Sequence, residues 1–97
     1  MKIPKKIKIG GRTYEVAVTD NLRLGSVNCS GEIDYLALEI RIAPIAKEKQ
    51  ESTLLHELVH GIYDHLGYSV HNEKKIDELA NALYMVIKDN PEMFERS

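Results

Sequence analysis

Tryptophan is absent from this 97-residue chain, and phenylalanine and cysteine each occur once. A core must therefore be assembled from Ile, Leu, Val, Ala and Met, helped by five tyrosines. The single Cys29 excludes an internal disulfide and a cysteine-rich zinc site. Alone, it reads as a small core residue. No apolar run approaches the roughly 18–20 residues that a membrane-spanning helix needs. No sign of charge dominates either: 13 basic and 15 acidic residues leave a net charge of −2. That balance argues against a dedicated nucleic-acid binder, although Lys2, Lys5, Lys6 and Lys8 form a local basic end. The same end lacks the apolar stretch of a signal peptide. The expectation is a cytoplasmic protein with no nucleic-acid and no membrane partner. What the chain does have is 43% apolar residues, enough for a globular core and against disorder.

The character of the chain changes at Pro44. Before it, β-branched and polar residues alternate; after it, apolar residues recur at helical spacing. No repeat or linker separates the halves, so the reading is a single α+β domain over residues 1–97. Ile7-Lys8-Ile9 and Tyr14 to Val18 flank Gly10-Gly11, a hairpin with a glycine turn. Ser26 to Ser30 reads as a short third strand, and Ser30-Gly31-Glu32 as the next turn. A longer strand from Tyr35 to Ala43 places Leu36, Leu38, Ile40 and Ile42 on one face, with Ala37, Glu39 and Arg41 on the other. A first helix is expected from Lys47 or Gln50 to Leu66, stopped by Gly67. A second runs from Asn72, a capping residue, to Asp89, ended by Asn90-Pro91. Met93 and Phe94 are expected to tuck back onto the body.

The first helix contains His56-Glu57-Leu58-Val59-His60, an H-E-x-x-H sequence. Residues four apart share a helix face, one turn above the other, so two imidazoles there can hold one metal ion from the same side. Glu57 is turned by about 100° from His56. It stands beside such an ion without ligating it, placed to take a proton from a metal-bound water. Leu55, Leu58, Val59, Ile62 and Leu66 form the stripe expected to face the core, and the histidines lie well round from it. Background composition yields this pattern by chance in roughly a few of every thousand chains of this length. The bland alternative is a pair of histidines without metal.

A catalytic zinc site needs three protein ligands and an open position. His65 is about 140° from His60 on the helix and points off the site. On the second helix, Ile76, Leu79, Ala80, Leu83, Val86 and Ile87 define the apolar stripe. Glu78 lies opposite it, facing solvent. Glu73 and Asp77 lie one turn apart at its edge, where a carboxylate can face the first helix. Glu73 is the expected third ligand, with Asp77 orienting a histidine through its free N–H. Asp77, Glu78 and His71 remain the alternative ligands, and an ordinary acidic first turn is the competing explanation for both carboxylates.

His56 to His60 followed by Glu73 and Asp77, as E-x-x-x-D on the next helix, resembles the gluzincin arrangement of thermolysin-like zinc metallopeptidases. The segment from Leu54 through Leu79-Ala80-Asn81-Ala82-Leu83-Tyr84 to Asp89-Asn90-Pro91 is similar to the small single-domain zincins of phages and prophages. These minigluzincins stand near the ImmA/IrrE-type metallopeptidases. The likeness is close over the helical half and holds only in outline over the sheet half. It implies a zincin-like fold: a short twisted sheet of three or four strands packed on the active-site helix, with a second helix after it. It also implies a zinc cofactor on His56, His60 and Glu73, with Asp77 supporting a histidine.

Two features depart from the larger family members. The spacing from His60 to Glu73 is shorter, and no residue matches their transition-state-stabilising histidine or tyrosine. Tyr35, Tyr63, Tyr68 and Tyr84 are the candidates for that role. The implied activity is zinc-dependent hydrolysis of peptide bonds in a peptide or protein substrate. Glu57 acts as general base, and an exposed strand edge at Gly25 to Ser30 holds the substrate extended. The alternatives are a non-catalytic metal-binding module of regulation or interaction, and a structural zinc protein with a fourth protein ligand.

Overall fold

The structure, a computed structural model, describes residues 1–24 and 30–94. Strands β1 (Lys6–Ile9) and β2 (Arg12–Val18) form the expected antiparallel hairpin. Gly10 and Gly11 have φ of 59° and 85°. Positive φ at both central residues is what a two-residue turn between twisted strands requires, and glycine adopts it without steric cost. Strands β3 (Gly31–Asp34) and β4 (Glu39–Ile42) complete a mixed sheet in the order β1-β2-β4-β3. The pairing of β4 with β2 is parallel, and that of β3 with β4 antiparallel.

The β3–β4 region corrects two expectations. Gly31 and Glu32 begin a strand and are not a turn, and the long strand from Tyr35 is only Glu39–Ile42. The cause is Asp34. Its Oδ1 accepts the backbone N–H groups of Leu36 and Ala37 at 3.0 and 2.9 Å, a side-chain-capped turn that competes with strand extension. Leu38 then takes a positive φ of 56°. Leu36, assigned by alternation to the buried face, is 99% exposed. The expected strand at Ser26 to Ser30 and Cys29 fall on residues 25–29, outside the described residues, apart from Ser30.

Ile40 and Ile42 are fully buried with Ile9, Tyr14, Ile33 and Leu54 in the core between the sheet and the first helix. Arg41, on the other face of β4, is buried as well. Its guanidinium meets Glu32, Glu39 and Asp34. Glu32 also accepts the backbone N–H groups of Arg23 and Leu24, both at 3.0 Å. Burial alone would raise the Glu32 carboxyl. Those two amides and Arg41 outweigh it and hold the carboxyl below its ordinary value.

Helix α1 (Lys47–His65) is capped by Leu66 and followed by Gly67, whose φ is 89°, as a glycine stop predicts. Helix α2 (Glu73–Asp89) begins at Asn72, whose side chain accepts from the Lys75 N–H. A short 3-10 turn, Pro91–Met93, follows.

The helix stripes need correcting. Helix α1 is the middle layer: it packs on β1, β3 and β4 on one side and on α2 on the other. Leu55 and Val59 meet Ile76 and Ala80 of α2, while Thr53, Glu57 and Gly61 are buried elsewhere on the same helix. A Cβ on Gly61 would lie 2.6 Å from Ile9 Cδ1, and one on Gly31 2.5 Å from Thr53 Cγ2. The helix therefore sits close over the sheet at both points. Ile62 and Leu66, assigned to the core stripe, are exposed. On α2 only Ile76 and Ala80 are buried. Leu79, Leu83 and Val86 are 43, 37 and 39% exposed, because α2 packs on α1 and the 3-10 turn and not on the sheet. Met93 and Phe94 are exposed. No helix among the described residues is long and apolar enough to cross a membrane.

Candidate metal centre

His56 and His60 stand one turn apart on α1, with ring centroids 5.0 Å apart. The first turn of α2 brings Glu73 across both of them. Glu73 Oε2 lies 3.3 Å from His56 Nε2, and Oε1 lies 3.0 Å from His60 Nε2. Ligand atoms about 2.0–2.1 Å from a tetrahedral zinc stand roughly 3.3 Å from each other. Each imidazole nitrogen thus lies at about that separation from one oxygen of Glu73, and the three side chains together could hold an ion.

The opposite ring nitrogens are also engaged. Asp77 Oδ1 lies 3.4 Å from His56 Nδ1. His71 Nδ1 lies 2.7 Å from His60 Nδ1, and His71 Nε2 lies 3.0 Å from the Tyr68 carbonyl oxygen. Partners on the far nitrogen fix the orientation of a ligating imidazole.

Glu57 is buried, only 7% exposed. Burial lifts its carboxyl to about 7; the charge of His56 opposes this, while Glu73 and Glu32 add to it. A carboxyl poised near neutrality is suited to exchange protons. Burial lowers the pKa of His60, partly opposed by Glu73, and so favours the neutral ring that a metal requires. The start of β3 runs beside Glu57: a Cβ on Gly31 would lie 3.7 Å from Glu57 Cγ.

Of the four tyrosines considered, Tyr35 is raised in pKa by burial and then by the charges of Asp64, Glu57 and Glu73, so its hydroxyl shares the field of the site. Tyr63 packs edge-on to His71, with centroids 5.6 Å apart, and Tyr68 contributes its carbonyl. Tyr84 instead donates to Glu51 at 2.8 Å. Glu78 is exposed and outside the metal-capable group. His65 lies over the β1–β2 turn, its ring filling the space that a Cβ at Gly10 would take. The proposed substrate edge at Gly25 to Ser30 lies outside the described residues except for Ser30. A groove of about 800 Å³ between Met1, Ile7, Leu54, Leu58, Ile87 and Phe94 includes none of the site residues.

Sequence reasoning named His71 only as an alternative ligand. Its two nitrogens face His60 Nδ1 and the Tyr68 carbonyl oxygen, which places it beside the His56, His60 and Glu73 group. Its position just before the α2 cap was the available signal. Compared with known proteins, the chain matches no family model, no curated protein and no solved structure.

Proposed function

We propose that the chain is a zinc-dependent metallopeptidase with a zincin-like fold and a gluzincin ligand set, similar to the small phage and prophage enzymes. One observation carries this reading: both Nε2 atoms converge on the two oxygens of Glu73, with a buried carboxyl of raised pKa one residue from His56. A purely structural metal site has no use for such a carboxyl. The donor set of two imidazoles and one carboxylate suits zinc and leaves a fourth position for water.

His56, His60 and Glu73 would hold the ion, and Asp77 orients His56. Bound there, zinc supplies Lewis-acid chemistry, polarising the scissile carbonyl and lowering the pKa of a water toward about 7. Glu57 accepts the proton of the attacking water and delivers it to the leaving amine. Strand β3 is the end strand of the sheet among the described residues and passes Glu57, so an extended peptide could lie along it through backbone hydrogen bonds.

A second reading, a non-catalytic binding module, draws support from the exposure of Glu73, whose side chain is 68% exposed and leaves one side of the centre open to a partner. The test measures zinc content and peptide-library cleavage for the wild type and Glu57→Gln. The expected result is one zinc in each protein and cleavage by the wild type only. A wild type that takes up no zinc, or a Glu57→Gln variant that cleaves at the wild-type rate, overturns the proposal.

A further inference from the structure

We propose that His71 is a positioning residue that selects the metal-binding tautomer of His60, through a chain running from the Tyr68 carbonyl to His71 and on to His60 Nδ1. The inference rests on the metal-site reading above and adds a residue to it. The argument is one of donors and acceptors. A carbonyl oxygen only accepts, so the 3.0 Å contact between His71 Nε2 and the Tyr68 oxygen requires the proton on Nε2. A neutral imidazole has one ring proton, which leaves His71 Nδ1 with a lone pair. That lone pair faces His60 Nδ1 at 2.7 Å. Two lone pairs at that distance repel, whereas a His60 whose Nε2 holds a cation carries its one proton on Nδ1 and finds in His71 the acceptor for it. His60 Nε2, the atom facing Glu73 at 3.0 Å, is then the nitrogen left to a cation. A proton on Nε2 would serve Glu73 but set the two Nδ1 atoms lone pair to lone pair. His71 disfavours that form, which is the one that cannot bind metal.

The surroundings hold His71 in this pose. Its ring is near-parallel to that of His60, at 18° with centroids 5.0 Å apart. Tyr35 and Tyr63 meet it edge-on at 67° and 64°. The carbonyl that anchors it belongs to the turn that ends α1. There Gly67 has a φ of 89°, and the Tyr68 N–H returns to the Tyr63 oxygen at 3.0 Å. The helix stop and the metal centre are thereby connected.

Zinc affinity, read by competition with a chromophoric chelator, tests the role. His71→Phe keeps a ring of similar shape and removes the acceptor; a 10- to 100-fold loss of affinity is expected, about the size seen for such outer partners of metal-ligating histidines. His71→Gln places an amide oxygen that can accept from Nδ1 and should recover part of that loss. Nitrogen-15 NMR of the zinc-loaded wild type provides a readout that needs no variant. The His71 proton should reside on Nε2, with a coupling across the hydrogen bond between the two Nδ1 nuclei. His71 protonated on Nδ1, or an affinity for His71→Phe within twofold of wild type, overturns the inference. A wild type that binds no zinc at all overturns the proposed function instead, so the two failures are distinct.

Discussion

Replacing Glu57 with glutamine removes a buried carboxyl whose ionised form the fold disfavours. The folded protein raises this group from its ordinary 4.5 to about 7, chiefly by burial. At about 1.4 kcal/mol per pH unit, that difference corresponds to about 3 kcal/mol. The sign follows from linkage. A pKa raised on folding gives a contribution that is full below 4.5 and lost as the pH climbs through about 7. Metal-free wild-type protein should therefore lose about 3 kcal/mol from this group between pH 4.5 and pH 8. Glutamine has no proton to exchange, and the constant cost of burying its amide cancels in a comparison across pH. Denaturant unfolding of chelator-treated proteins at pH 5 and pH 8 measures the effect. The stability of Glu57→Gln relative to wild type should grow by about 2.5 kcal/mol between the two, or of the order of 10 °C in Tm for a domain this size. Stability curves that run parallel from pH 5 to pH 8 would refute the reasoning, since they would mean that Glu57 ionises as freely in the fold as in water.

Three further outcomes are expected. Gly61→Ala forces a methyl group to within 2.6 Å of Ile9 Cδ1, an overpacking cost of about 1–3 kcal/mol set against about 1 kcal/mol of gained helix propensity; Ile9→Val removes that atom. A double-mutant cycle should therefore show the pair to be more stable than the sum of the singles by at least about 0.5 kcal/mol, whereas additivity would mean that α1 does not bear on Ile9 there. Tyr84→Phe deprives Glu51, 2% exposed, of the hydroxyl that donates to it at 2.8 Å; urea unfolding should register a loss of about 1–3 kcal/mol, and an unchanged midpoint would show that the buried carboxylate is satisfied without it. Glu73→Ala should lower zinc content by elemental analysis, and an unchanged content would transfer the third ligand to Asp77 or His71.

What could be read from residue order was whatever depends on near neighbours. Gly10-Gly11 announced a hairpin because only a few residue types fit its turn, and Asn72 and Gly67 marked helix ends for the same kind of local reason. The four-residue interval between His56 and His60 is a property of the helix itself, and so was visible without a fold. The β3–β4 turn was hidden because Leu36 and Leu38 continue the apolar alternation of Ile40 and Ile42, while Asp34 turns the chain through its side chain. Helix α1 is covered on two faces, and one of them carries Thr53, Glu57 and Gly61, which no hydrophobic pattern reveals. Leu79, Leu83 and Val86 follow the helical pattern faithfully, yet α2 has one helix as its neighbour and leaves them open. The pairing of His60 with His71 depends on the path of the loop between the helices, and spacing along the chain does not encode that path.

A crystal structure of the zinc-loaded protein is the most direct measurement. The account predicts one ion held by His56 Nε2, His60 Nε2 and a Glu73 oxygen, with water in the remaining position and Glu57 beside it. An ion closed off by a fourth protein side chain, or the two imidazoles turned apart with no ion between them, would contradict it.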